Sequence, residues 1–179
     1  MSFAIFSDSS CNLPKAQLEE FQVQIISSSY EREGKLITCP PYPEDFDGHE
    51  YYNFLRNKGV VKTSLIPAAQ MEDAFRPVLA AGEDVLYITL SSGISGTVAS
   101  GLQAAQALME EFPQRQVRVL DSMGAGFGIG LLLGRASDDR KAGLNLDQTY
   151  ASLERDRDNL CEFFTVDDLM FLRRTGRLS

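Results

Sequence analysis

Val85-Leu86-Tyr87-Ile88-Thr89-Leu90, followed by Ser91-Ser92-Gly93-Ile94-Ser95-Gly96-Thr97-Val98-Ala99-Ser100, decides the fold. The first run is apolar and rich in β-forming residues, as a strand buried on both faces requires. The second places a cluster of hydroxyls where that strand ends. A helix-patterned run then continues to about Phe112. A parallel strand that hands over to a helix N-terminus leaves backbone N–H groups free at the positive end of the helix dipole. Such a junction accepts an anion, either a phosphate or a carboxylate.

Working outward, the pattern repeats. Ala4-Ile5-Phe6-Ser7-Asp8 reads as a short buried strand. Pro14 opens a helix whose apolar face carries Leu18 and Phe21. Val23–Tyr30 is β-rich and reads as the second strand, with a turn over 31–35. Pro40, Pro41 and Pro43 exclude helix and central strand from the next stretch. Helices are expected around His49–Lys58 and from Pro67, where Met71, Ala74, Phe75, Val78 and Leu79 recur at helical spacing. Pro77 falls inside the second and is expected to kink it.

After the Val85 strand, Val98, Leu102, Ala105, Leu108 and Phe112 are expected on one helix face. Val117–Asp121 is a further strand, Met123–Ala136 a buried glycine-rich helix, and Leu146–Leu160 an amphipathic helix. Cys161–Val166 reads as a strand, and 167–174 as a short helix stopped by Gly176. Strands alternating with helices predict an α/β fold, a three-layer domain with a mostly parallel sheet.

The 179 residues fit one domain, or one domain and part of another. A net charge of -8 argues against nucleic acid and anionic membranes as partners. No apolar run is long enough to span a bilayer, so no transmembrane segment is expected. The N-terminus reads as a strand and not as a signal peptide, which predicts a cytoplasmic protein. Cys11, Cys39 and Cys161, with His49 the one histidine, give no zinc pattern and read as reduced thiols.

Several chemistries are weighed against plainer readings. Gly93-Ile94-Ser95-Gly96-Thr97 falls one residue short of a nucleophile elbow, because Thr97 stands where glycine is required. His49 precedes the serine, whereas an α/β-hydrolase needs its histidine later. Gly124 and Gly126 would need a glycine at Ile129 to make a dinucleotide fingerprint. The glycines of 124–134 therefore signify close helix packing or a groove for an apolar ligand. Asp8-Ser9-Ser10 ends a strand on the ligand side of a parallel sheet. Lys62-Thr63-Ser64 is an N-cap by itself; paired with Ser95-Gly96-Thr97 it supplies two hydroxyl-bearing loops that can donate to a carboxylate. Arg173, Arg174 and Arg177 are either a solvated basic patch or cations for an anionic head group. No nucleophile–base pair, metal or cofactor site emerges.

In this order the segments resemble the DegV family of bacterial fatty-acid-binding proteins. Phe6–Pro14 is similar to the family's N-terminal Asp-Ser signature, and Lys62-Thr63-Ser64 to its Lys-Thr-Ser motif. Ser91–Thr97 is similar to its Ser-Ser-Gly-Leu-Ser-Gly-Thr motif, with Ile94 for Leu. Val119–Ser122 and Leu169–Ser179 are similar to its Asp-Ser strand end and Gly-Arg-Ile-Ser segment. The resemblance implies a lipid-binding carrier, not an enzyme, with an acyl chain buried near the interface of two α/β domains. It implies that Thr63 or Ser64, together with Ser95, binds the carboxylate of a long-chain fatty acid. Ser9, Gly96 and Thr97 are expected in the same clamp and Arg177 near the head group. It further implies a separate fatty-acid kinase as partner. A homodimer is also expected.

Two departures stand out. Leu65-Ile66-Pro67 follows Ser64 where the family usually has Gln-Pro. Family members also continue beyond the Gly-Arg segment. Residues 1–160 therefore read as the DegV-like N-terminal domain and 161–179 as the opening of a second, incomplete one. Two other readings are retained: a shortened, non-binding structural or interaction domain, and a serine hydrolase using Ser95.

Overall fold

The computed structural model describes residues 3–166 and 168–174. Its centre is a parallel sheet of β1 (Phe3–Asp8), β2 (Val23–Ile26), β6 (Asp84–Thr89) and β7 (Val117–Asp121), in the order β2-β1-β6-β7. Side chains alternate across these strands. Phe3, Ile5, Leu86, Ile88 and Leu120 face a layer made by α1 (Lys15–Phe21), α5 (Phe127–Lys141) and α6 (Leu146–Arg157). Ala4, Phe6, Val85, Tyr87, Val117 and Val119 face the layer of α3 (Ala68–Ala80) and α4 (Thr97–Glu111). Both faces are covered, which is why these strands read as continuous apolar runs. The expected three-layer α/β architecture with a mostly parallel sheet is what the chain forms.

Four elements depart from expectation. The helix expected at Met123–Ala136 is α5, Phe127–Lys141, which begins four residues later and ends five later. The β-rich run Val23–Tyr30 is two strands. It breaks at Ser27-Ser28, and β3 (Ser29–Arg32) joins a second, antiparallel sheet with β4 (Lys35–Thr38) and β5 (Val61–Thr63), in the order β4-β3-β5. Composition reports β-propensity but not which sheet receives it. With α2 (Gly48–Arg56), this small sheet forms an insertion between β2 and α3.

The buried face of α4 starts one residue earlier than expected. Thr97, Gly101, Ala104, Ala105 and Leu108 are buried, and Leu102 is exposed. Small residues face the sheet because the helix lies close to it. A Cβ on Gly101 would stand 3.1 Å from Val119 and 3.3 Å from Tyr87.

Cys161–Val166 forms no strand. All six residues are exposed, and Glu162 docks on the start of α5, as described below. β-Propensity without a partner strand does not make a strand. The expected helix is present as α7 (Leu169–Arg174). Arg177 and Gly176 lie outside the described residues.

Candidate functional site

In a parallel α/β sheet the ligand side lies beyond the strand C-termini, at the point where the strand order reverses. Here β1 leads outward to β2, and β6 leads the other way to β7, so the reversal falls between β1 and β6. The buried carboxylate of Asp8 sits at that point. Its Oδ2 accepts from the hydroxyls of Thr89 (2.6 Å) and Tyr87 (3.1 Å), and its Oδ1 accepts from the Ser10 amide (3.0 Å) and the Ser10 hydroxyl. Each lone pair of the acid is thus occupied by a neutral donor, which makes its burial tolerable. The same charge, added to burial, pushes the Tyr87 phenol well above its ordinary range.

Asp8 shapes the turn that displays Ser9. The Ser9 hydroxyl pairs with the Ser28 hydroxyl at 2.7 Å and accepts from the Ser28 amide at 3.1 Å. On the other side of the reversal, the loop after β6 folds so that the Ser95 hydroxyl meets that of Thr97 at 2.8 Å and accepts from the Thr97 amide at 3.3 Å. Asp121, at the end of β7, braces this loop by accepting from the amides of Ser92 (3.1 Å) and Met123 (3.0 Å). Burial alone would raise its pKa. The hydrogen bonds from Ser92 and Met123 outweigh burial and hold the carboxyl below its usual value.

A cavity of about 1090 Å³ opens above these loops. It lies at the upper end of the range for sites that enclose small molecules. Ser9, Thr63, Ser64, Ser95, Gly96 and Thr97 all line it, so six of the seven residues singled out from the sequence meet in one place. Arg177, the seventh, lies outside the described residues. Thr63 reaches the rim because β5 pairs with β3, Thr63 opposite Tyr30. Leu65 leans over Gly96, where a Cβ would stand 3.1 Å from it.

The far wall is apolar and aromatic: Tyr42, Phe46, Tyr51, Leu55 and Val60 line it. Tyr51 packs edge-on against Tyr30 at 5.3 Å and against Phe46 at 5.1 Å. Sequence reading missed this wall. Its signal was present, since the inserted segment holds Tyr30, Tyr42, Phe46, Tyr51, Tyr52 and Phe54 within a stretch with no core to fill. The arrangement can hold an acid whose head meets hydroxyls and whose body meets rings. Ser95, the candidate nucleophile, is engaged by Thr97, and His49 lies on α2.

The glycines of α5 serve close packing, the first of the two readings their spacing allowed, and the space beside them is filled. A Cβ on Gly130 would stand 2.8 Å from Leu13, and one on Gly134 3.3 Å from Phe21. At the helix start the occupant is Glu162. Its carboxylate accepts from the amides of Ala125 (3.0 Å) and Gly128 (2.9 Å), in a notch that a Cβ on Gly124 or Gly128 would fill. No cluster of metal-ligating side chains occurs among the described residues.

Comparison with known proteins now bears on this cavity. Residues 2–179 match the family model described as "Uncharacterised protein, DegV family". The chain belongs to the DegV family. A DegV domain-containing protein of Clostridium perfringens is 32% identical over 181 residues, covering 99% of this chain and 60% of that protein. The solved DegV-family fatty-acid-binding protein of Thermus thermophilus superposes with a TM-score of 0.83 at 28% identity, over 98% of this chain and 60% of its own. A stearic-acid-binding protein of Eubacterium ventriosum superposes with a TM-score of 0.84 at 27% identity, over 97% of this chain and 59% of its own. This DegV chain therefore spans about 60% of the length of the relatives it matches.

Proposed function

We propose that this DegV chain contributes the head-group floor and one acyl wall of a long-chain fatty-acid site. In this reading it serves as a carrier that presents the acid to a separate fatty-acid kinase. The observation that carries the reading is the two-ended cavity at the strand reversal, hydroxyls on one side and aromatic rings on the other. Neutral donors suit a carboxylate head because each can turn its proton toward an oxygen without a compensating buried charge. Hydrogen bonds to a charged acceptor are the stronger kind. Thr63, Ser64, Ser95 and Thr97 are the donors we assign, with Gly96 and Ser9 shaping the clamp and Arg177 joining the head group. The Thermus and Eubacterium proteins, which bind fatty acid, share the fold that builds this cavity.

The ligand itself is the one small molecule the reading requires. No helix among the described residues is long and apolar enough to cross a membrane. The location we assign to the carrier is the cytoplasm. A second reading has its own support. Phe127 and Leu131, one turn apart on α5, and Met123 just before it are exposed apolar side chains, Phe127 at 78%. A chain that offered only these side chains would be an interaction domain without ligand, or a homodimer.

Native mass spectrometry of the protein purified from bacteria, with lipid extraction of the same sample, separates the two. A stoichiometric fatty acid supports the carrier. Protein that stays apo with excess oleate or palmitate removes that reading and leaves the interaction domain.

A further inference from the structure

Ser29–Ser64 leaves the α/β body and returns to it at nearly one point. The Gln70 side chain, in the first turn of α3, donates to the Ser27 carbonyl at 2.9 Å, and the Ser64 amide donates to the Ser29 carbonyl at 3.2 Å. Of these thirty-six residues, all described, Tyr30 is the one that is buried. The segment is nevertheless rigid within itself. Arg32 grips Glu50 through two bonds of 2.6 and 2.7 Å and stacks on Phe54 at 3.8 Å. Phe54 in turn fills the space beside Gly59, where a Cβ would overlap its ring. A unit that is internally braced, joined at two adjacent strands of chain and poor in buried surface belongs to the low-stability end of a structure.

Its far side meets the body at the start of α1, where Tyr42 also packs against the core. The Glu44 carboxylate accepts from the Lys15 amide at 3.1 Å, at the first turn of α1, and the Lys15 ammonium lies over the Tyr42 ring at 5.4 Å. Both are exposed contacts and individually weak. Tyr42 and Phe46, beside this clasp, are cavity wall.

We infer that Ser29–Ser64 is a hinged flap over the cavity, turning at Ser27-Ser28 and Ser64-Leu65 and clasped shut by Glu44 on Lys15. Opening carries the aromatic wall, with Thr63 and Ser64 at its hinge, away from the hydroxyls of Ser9, Ser95 and Thr97 and admits an extended apolar chain sideways. The inference rests on the fatty-acid reading for its ligand, and on geometry alone for the motion.

Double electron–electron resonance tests it on the full chain. Spin labels go on Leu36→Cys in the flap and Leu102→Cys on α4, both exposed, with Cys39 and Cys161 replaced by Ala. The ligand-free protein is expected to show two distance populations. Glu44→Ala, which removes the acceptor, is expected to raise the longer one about threefold to tenfold, and added oleate to remove it. A single narrow distance unchanged by Glu44→Ala overturns the flap. Oleate that binds by mass spectrometry without altering the distances overturns it as well and spares the fatty-acid reading. Two populations in a protein that binds no oleate keep the flap's motion and remove the ligand.

Discussion

Thr89, the last residue of β6, donates its hydroxyl to the buried carboxylate of Asp8, the last residue of β1, at 2.6 Å. This bond joins the strands on either side of the reversal in strand order, directly beneath the loops that carry Ser9 and Ser95. The floor of the cavity, which Asp8 itself lines, is therefore set by this network.

Asp8→Asn tests that network. The Ser10 amide can only donate, so the remaining oxygen must face it, and the new amide group then points at Tyr87 and Thr89. Those hydroxyls must turn to accept. The expected loss is about 1–3 kcal/mol of stability, read from the urea midpoint. An unchanged midpoint shows that the four donors do not depend on the negative charge.

Ser95→Ala addresses the head group. If the Ser95 hydroxyl donates to a carboxylate, its removal costs about 1.5–3 kcal/mol, or roughly tenfold to a hundredfold in affinity. Competition with a fluorescent fatty acid gives the ratio. Equal affinity for both proteins takes Ser95 out of the clamp.

Gly130→Ala separates packing from groove. A methyl group at this position meets Leu13 at 2.8 Å, so overpacking is expected to cost about 1–3 kcal/mol. A neutral or stabilising result, measured by thermal unfolding, means that Leu13 yields and that space beside α5 is available after all.

Asp121 predicts an acid limb. Its carboxyl is held below its ordinary value, so the folded state favours the ionised form. That contribution is complete above the unfolded value and is lost as pH falls through the folded one. Asp121→Asn should therefore destabilise the protein at pH 6, and the gap to the parent should close as pH drops below about 4. Parallel urea titrations from pH 3 to pH 7 check the sign; a gap that widens in acid contradicts it.

Much of this was legible in the chain. The run Val85–Leu90 announced a two-faced strand, and the hydroxyls after it marked the ligand side. What stayed hidden depends on long-range choice. Nothing local tells Ser29-Tyr30 to leave the main sheet, since both sheets reward the same residues. The periodic pattern of α4 favoured Leu102 over Gly101, because hydrophobicity was weighed and close approach was not. Glu162 reads in the sequence as one residue of a strand. Its partners are backbone amides thirty-four and thirty-seven residues away, and backbone leaves no mark in the sequence.

The break at Ser27-Ser28 has an evolutionary consequence. The chain leaves the α/β body there and rejoins it within hydrogen-bond reach, so everything between is modular. If the cavity holds a fatty acid as proposed, substitutions, insertions or wholesale exchange in that stretch would change which tails fit without touching the Asp8 network or the sheet. Diversity of chain preference among relatives should accordingly concentrate in the insertion, and a transplanted insertion should carry its preference with it.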